Sequence, residues 1–111
     1  MKIYLAPMEG ITGEVYRRAY HTFFEPMDKY FTPFLNPNPK GKFSRQEWNE
    51  ILPENNEGMY TVPQILTNHA EDFIRLARQL KEFGYEEVNL NLGCPSKTVV
   101  NRKRGSGFLF Y

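Results

Sequence analysis

Short strand-like runs alternate with segments of helical period along the chain, and this alternation restricts the possible fold more than any other feature. Residues 3–6 are a brief apolar run broken by Pro7, which reads as a buried strand running into a loop. Thr12 is placed to cap a helix, and Val15, Tyr16, Ala19, Tyr20 and Phe23 then share one face at helical spacing. Residues 30–35 form a second strand candidate, with Pro33 demoting its end to a terminus or edge. Residues 36–58 have loop chemistry, with one short helical turn near 44–52 and Trp48 expected to cover a core edge. A third strand candidate covers residues 60–66. Asn68 with Glu71 three residues later resembles a capping box. Ala70, Phe73, Ile74, Ala77 and Leu80 then make the apolar stripe of a helix that Gly84 can end. A fourth strand is expected at about 87–92. The order β-α-β-loop-β-α-β predicts a parallel sheet covered by helices.

In a parallel barrel the loops that follow the strands all open on one face, where reacting groups project. Here those loops begin Pro7-Met8-Glu9, Phe34-Leu35-Asn36, Gln64-Ile65-Leu66 and Gly93-Cys94-Pro95. A lone cysteine is commonly a small buried hydrophobe. Cys94, however, stands between a glycine and a proline directly after a strand, which is turn chemistry, and this makes it a candidate site residue. Gln64, at a strand end, reads equally well as a functional amide or as a cap for loose backbone groups.

Composition narrows the remaining classes. With 41% hydrophobic and 15% aromatic residues among 111, a folded core is expected rather than disorder. A net charge of +1 offers no global argument for a nucleic-acid partner. One cysteine allows no internal disulfide, which fits a reducing compartment. The first apolar run is too short for a signal peptide and no run approaches a membrane span, so a soluble cytoplasmic protein is expected. No metal-ligand cluster or Ser-His-Asp arrangement is evident, and His21 and His69 are expected to face solvent. From Val88 onward there is no acidic residue, while Lys97, Arg102, Lys103 and Arg104 are basic. A solvated loop would explain them, but beside a site for a polyanion they suit phosphate contacts better.

Three segments together resemble the tRNA-dihydrouridine synthases, flavoenzymes built on a TIM barrel: Ala6-Pro7-Met8-Glu9-Gly10-Ile11-Thr12, Val62-Pro63-Gln64-Ile65-Leu66, and residues 87–97 ending Gly93-Cys94-Pro95-Ser96-Lys97. The resemblance extends over essentially the whole chain and continues into Gly105-Ser106-Gly107. It implies FMN-dependent reduction of specific tRNA uridines to 5,6-dihydrouridine, with NADPH as the usual reductant. It also implies that Pro7, Met8 and Glu9 lie against the flavin ring, that Gln64 makes a polar contact to it, and that Asn91 is near flavin and substrate. Cys94 would be the proton donor. The residue type suits that role, because a hydride added to one carbon of a C=C bond must be matched by a proton at the other. An ordinary thiol, with a pKa of about 8.5, is largely protonated at neutral pH and can serve as that acid.

A TIM barrel has eight strands and about 250 residues. This chain is therefore expected to be the N-terminal portion, about four β/α units, of an FMN-binding barrel whose second half and helical RNA-binding domain lie elsewhere. The apolar ending Phe108-Leu109-Phe110-Tyr111 reads as a truncation. Such a fragment is expected to bind FMN weakly, to lack activity, and to self-associate through exposed strand edges. Two alternatives are open on the sequence: another flavin-dependent barrel oxidoreductase acting on a small molecule, and a non-catalytic truncated fragment.

Overall fold

A computed structural model describes residues 1–111. Strand β1 (Tyr4–Leu5) leads through a loop to helix α1 (Glu14–Phe23), then strand β2 (Lys29–Phe31). Helix α2 (Arg45–Ile51) and a 3-10 turn (Pro53–Asn56) precede strands β3 (Thr61–Val62) and β4 (Gln64–Ile65). Helix α3 (Ala70–Glu82), strand β5 (Asn89–Leu90), the single-turn helix α4 (Lys97–Val100) and a second 3-10 segment (Gly105–Phe110) complete the chain. Every strand pair is parallel: β1 with β2, β2 with β3, and β4 with β5. The alternating pattern is thus realised as a mixed α/β unit with a three-stranded sheet, β1-β2-β3, and a two-stranded sheet, β4-β5, in which β1 and β5 each have one strand neighbour.

The third strand candidate is split in two, and Pro63 is the cause. Residues 60, 62 and 64 offer their carbonyls to Tyr30, Thr32 and Leu35 on one side. Pro63 and Ile65 accept from Asn89 and Asn91 on the other side, so one extended segment serves both neighbours. Proline cannot donate to the ladder. On the facing strand, Thr32 to Leu35 is one residue longer than Val62 to Gln64, a bulge at Pro33 and Phe34. The Gln64 N–H is met there by the Thr32 hydroxyl at 3.1 Å.

The core is Leu35, Ile51, Ile65, Leu76 and Leu80, flanked by Phe43, Phe73, Phe83, Tyr85 and Val88. On α3 the buried line runs Phe73, Leu76, Leu80, so the expected stripe is rotated and Ile74 lies outside it. Gly84 ends the helix as expected, at φ +98°. Trp48 covers the core edge, its ring 5.2 Å from Phe83 and 6.2 Å from Phe43.

Several local expectations are corrected. The first strand is not buried: Tyr4 is 45% exposed, because β1 is an edge with one neighbour. Thr12 does not cap α1; Gly13 occupies that position without a side-chain bond. The apolar face of α1 points outward, with Val15 71% exposed, while Arg17 is fully buried. Four acceptors hold Arg17 inside: the Thr12 and Glu50 carbonyls, the Glu50 carboxylate at 2.6 Å and the Asn56 amide oxygen. Asn68 and Glu71 make no capping box, since His69 holds the N-cap position. The one that forms is Ser44 with Glu47. His69 is exposed as expected, but His21 is half-buried, with Nδ1 2.8 Å from the Tyr30 hydroxyl.

At the N-terminal ends of the strands, Lys29 reaches both Glu87 carboxylate oxygens at 2.8 Å and lies over the rings of Tyr4 and Tyr60. Hydrogen bonding to Glu87 raises the Lys29 pKa, and bonding to Lys29 lowers that of Glu87. The lowered carboxyl contributes stability above its unfolded pKa of about 4.3, and this is lost as pH falls through the folded value. The raised ammonium contributes below about 10.4, and this is lost as pH rises through its folded value. We expect Glu87→Gln to lower the thermal midpoint slightly at neutral pH, as for exposed pairs generally. That gap from the parent should close in acid; a gap constant down to the acid limit would refute this account.

Candidate active site

The chain's distinctive loops meet at the C-terminal ends of the strands, around a cavity of about 540 Å³. Pro7, Met8 and Glu9 come from the loop after β1, and Pro33 and Phe34 from the bulge after β2. Gln64, Asn91 and Cys94 come from β4 and from the segment that follows β5. All six residues expected at the flavin and at the proton donor therefore line one cavity. Of the four basic candidates, Arg102 and Arg104 line an adjoining cavity, whereas Lys97 and Lys103 line neither and are exposed. Lys103 lies over the Tyr111 ring at 4.6 Å.

The first loop is held as a tight turn. Ile11 and Thr12 both donate their N–H to the Met8 carbonyl, at 3.0 and 2.9 Å. The Thr12 hydroxyl, which the sequence suggested as a helix cap, instead accepts from the Met8 N–H at 2.7 Å. Gly10 sits within this turn at φ +79°, a conformation that favours glycine. The buried Arg17 then grips the Thr12 carbonyl at 3.0 Å, connecting the turn to α2 through Glu50.

A chain of side-chain amides crosses the floor of the cavity, and its polarity follows from the backbone. The Gly93 and Cys94 N–H groups donate to the Asn91 side chain at 3.1 and 3.0 Å, so the atom they meet must be its oxygen. Asn91 therefore turns its NH₂ to Gln64, which presents its oxygen at 2.9 Å. Gln64 in turn turns its NH₂ to the Asn89 oxygen, also at 2.9 Å. Every amide oxygen along this line accepts at least one bond, and each amide NH₂ keeps at least one N–H free. The site thus offers hydrogen bonds to a ligand's acceptors. Gln64 is 8% exposed and is not a backbone cap.

Cys94 is held at both of its backbone groups. Its N–H is bound by Asn91, and its carbonyl accepts from the Ser106 N–H and hydroxyl, both at 3.0 Å. Gly105 makes that approach possible: a Cβ there would stand 2.7 Å from the Cys94 carbonyl oxygen, at φ +55°. We expect Gly105→Ala to cost at least about 1–2 kcal/mol through the left-handed backbone alone. It should also displace Cys94 and change its rate of alkylation, measured by site-resolved mass spectrometry. A parent-like rate and stability would refute that coupling.

Some contributors were not singled out in the sequence. Asn89 could have been found, because residues two apart on a strand share a face and Asn91 was already a candidate. Phe34 reaches the site only through the bulge, and nothing in the local pattern of α1 marks Arg17 as buried. No group of His, Cys, Asp and Glu is arranged to hold a metal ion. No helix is long and apolar enough to cross a membrane.

The family model described as dihydrouridine synthase matches residues 4–111. The chain belongs to that family. It is 32% identical over 109 residues to the probable tRNA-dihydrouridine synthase of Staphylococcus aureus, covering 95% of this chain and 32% of the relative. It is 30% identical over 109 residues to the probable tRNA-dihydrouridine synthase 2 of Bacillus subtilis, with the same coverage. The tRNA-dihydrouridine synthase B of Pasteurella multocida is 28% identical over 110 residues, covering 99% and 32%. The chain thus spans about a third of the length of the curated relatives it matches.

Proposed function

We propose that this chain supplies the first β/α units of a TIM-barrel flavoenzyme that reduces uridines of tRNA to 5,6-dihydrouridine, with Cys94 as the proton donor. The observation that carries the reading is the convergence of Met8, Gln64, Asn91 and Cys94 on one cavity, with Cys94 clamped at both backbone groups. Family membership and the names of the relatives agree with it.

The residues fit the ring of FMN. Pro7 and Met8 provide an apolar wall, and the spare amide N–H groups of Gln64 and Asn91 suit a ring edge rich in oxygen and nitrogen acceptors. A flavin held by these residues would supply the hydride, with NADPH as its source. The lining includes no Lys, Arg or His, so the cofactor's phosphate has no cationic partner among these residues. Weak FMN binding by the 111 residues alone belongs to this reading, because TIM barrels often hold a cofactor's phosphate with the loops after strands seven and eight, and so does self-association through the outer edges of β1 and β5.

The chain's own part in the reaction is positional and acid–base. The amide chain fixes the strand end, and the paired bonds to Asn91 and Ser106 hold the Cys94 backbone. One carbon of the uracil double bond receives the hydride and the other receives the thiol proton. The resulting thiolate is half-exposed and can regain a proton from water.

The test uses the full-length protein that contains this chain, with unmodified tRNA, FMN and NADPH, and mass spectrometry for dihydrouridine. Product in tRNA is the expected result. Rapid NADPH oxidation with a small enone, and no dihydrouridine, would overturn the reading in favour of a small-molecule reductase.

A further inference from the structure

A second cavity, of about 660 Å³, adjoins the one at Cys94 and shares Glu9 and Phe34 with it as a common wall. The loop after β2 contributes Asn36, and the segment around α4 contributes Ser96, Thr98, Arg102 and Arg104. Neither arginine takes part in any of the chain's ion pairs. Arg104 is half-buried, and its Nε, like that of Arg17, is buried and has no hydrogen-bond partner.

Two carboxylates also line the space, and their placement matters. Glu47 is committed: one oxygen accepts from the Ser44 N–H at 3.0 Å and the other from the Asn36 N–H at 2.7 Å. Glu9 lies on the shared wall and would repel an anion toward the arginine side. The Ser96 and Thr98 hydroxyls bond to each other at 3.1 Å and keep further donor and acceptor capacity.

We infer that this second cavity receives the ribose-phosphate of a nucleotide adjoining the base held at Cys94. Arg102 and Arg104 bind its phosphate, and Ser96 and Thr98 bind its sugar. The inference rests on the tRNA reading above and deepens it. A base in the first cavity carries its backbone with it, and the adjoining space is the one lined by unpaired guanidinium groups. Arginine also presents a planar fork that suits phosphate oxygens. The four basic residues of this region therefore divide: Arg102 and Arg104 belong to a walled subsite, and Lys97 and Lys103 lie outside it.

The test compares the full-length parent with Arg102→Gln and Arg104→Gln, measuring affinity for unmodified tRNA across a salt series. Each variant should bind tRNA roughly tenfold more weakly. Each should also flatten the log–log salt dependence by about 0.7 per lost phosphate contact. Bound flavin and the KM for NADPH should not change. Arg102 is exposed, so its variant keeps the test decisive if Arg104→Gln fails to fold. Parent-like tRNA affinity and salt slope in Arg102→Gln would overturn the subsite while leaving the synthase reading intact. A raised KM for NADPH with unaltered tRNA binding would overturn it in favour of a dinucleotide phosphate. A parent that neither binds nor modifies tRNA would remove both readings.

Discussion

Replacing Cys94 by alanine is expected to slow dihydrouridine formation by about 10²- to 10⁴-fold, the usual contribution of a positioned general acid. The change is a clean probe because the clamp on Cys94 is made of backbone. The N–H to Asn91 and the carbonyl to Ser106 do not involve the sulfur. Alanine keeps the Cβ and both bonds, so flavin content and tRNA affinity should stay near those of the parent. Single-turnover measurement of dihydrouridine in tRNA isolates the chemical step. A Cys94→Ala protein working within a few-fold of the parent would require another acid, and the site assignment would be wrong.

The second large effect is on stability. Arg17→Met in the full-length protein is expected to cost about 3–5 kcal/mol, the range for breaking a buried pair by removing one partner. Glu50 would keep a desolvated carboxylate with its 2.6 Å partner gone, and the Thr12 carbonyl and Asn56 oxygen would each lose a donor. Replacing Arg17 and Glu50 together by methionine should cost less than the sum of the single changes, because no buried charge is then left alone. Urea unfolding of the parent and the three variants gives the coupling. A loss below about 1 kcal/mol for Arg17→Met would place the pair among ordinary surface bridges. The same substitution also frees the turn that holds Met8, so flavin retention should fall with it.

How far the chain could be read in advance varies from element to element. The alternation of strands and helices, the end of α3 at Gly84 and the loop position of Cys94 were all visible, because each depends on residues a few positions apart. So was the gathering of Met8, Gln64, Asn91 and Cys94, since parallel strands send their following loops to the same face. The amide chain was half visible: the i, i+2 spacing of Asn89 and Asn91 implied a shared face, but its closure through Gln64 needed the register of β4 against β5.

The errors share one physical origin. Thr12 and Asn68 had good capping chemistry, but Thr12 found a nearer partner in the Met8 N–H, and Asn68 stands one residue too early for α3. The α1 stripe was amphipathic and still turned outward, because its opposite face carries Arg17, whose acceptors Glu50 and Asn56 come from a segment more than thirty residues away. Local period and turn chemistry are set by neighbours in the chain, and these were enough to specify the parallel α/β pattern and the loop that bears Cys94. Which face is buried, which donor meets which acceptor, and which arginines line a cavity depend on partners brought together only by folding, so only the folded chain decided them.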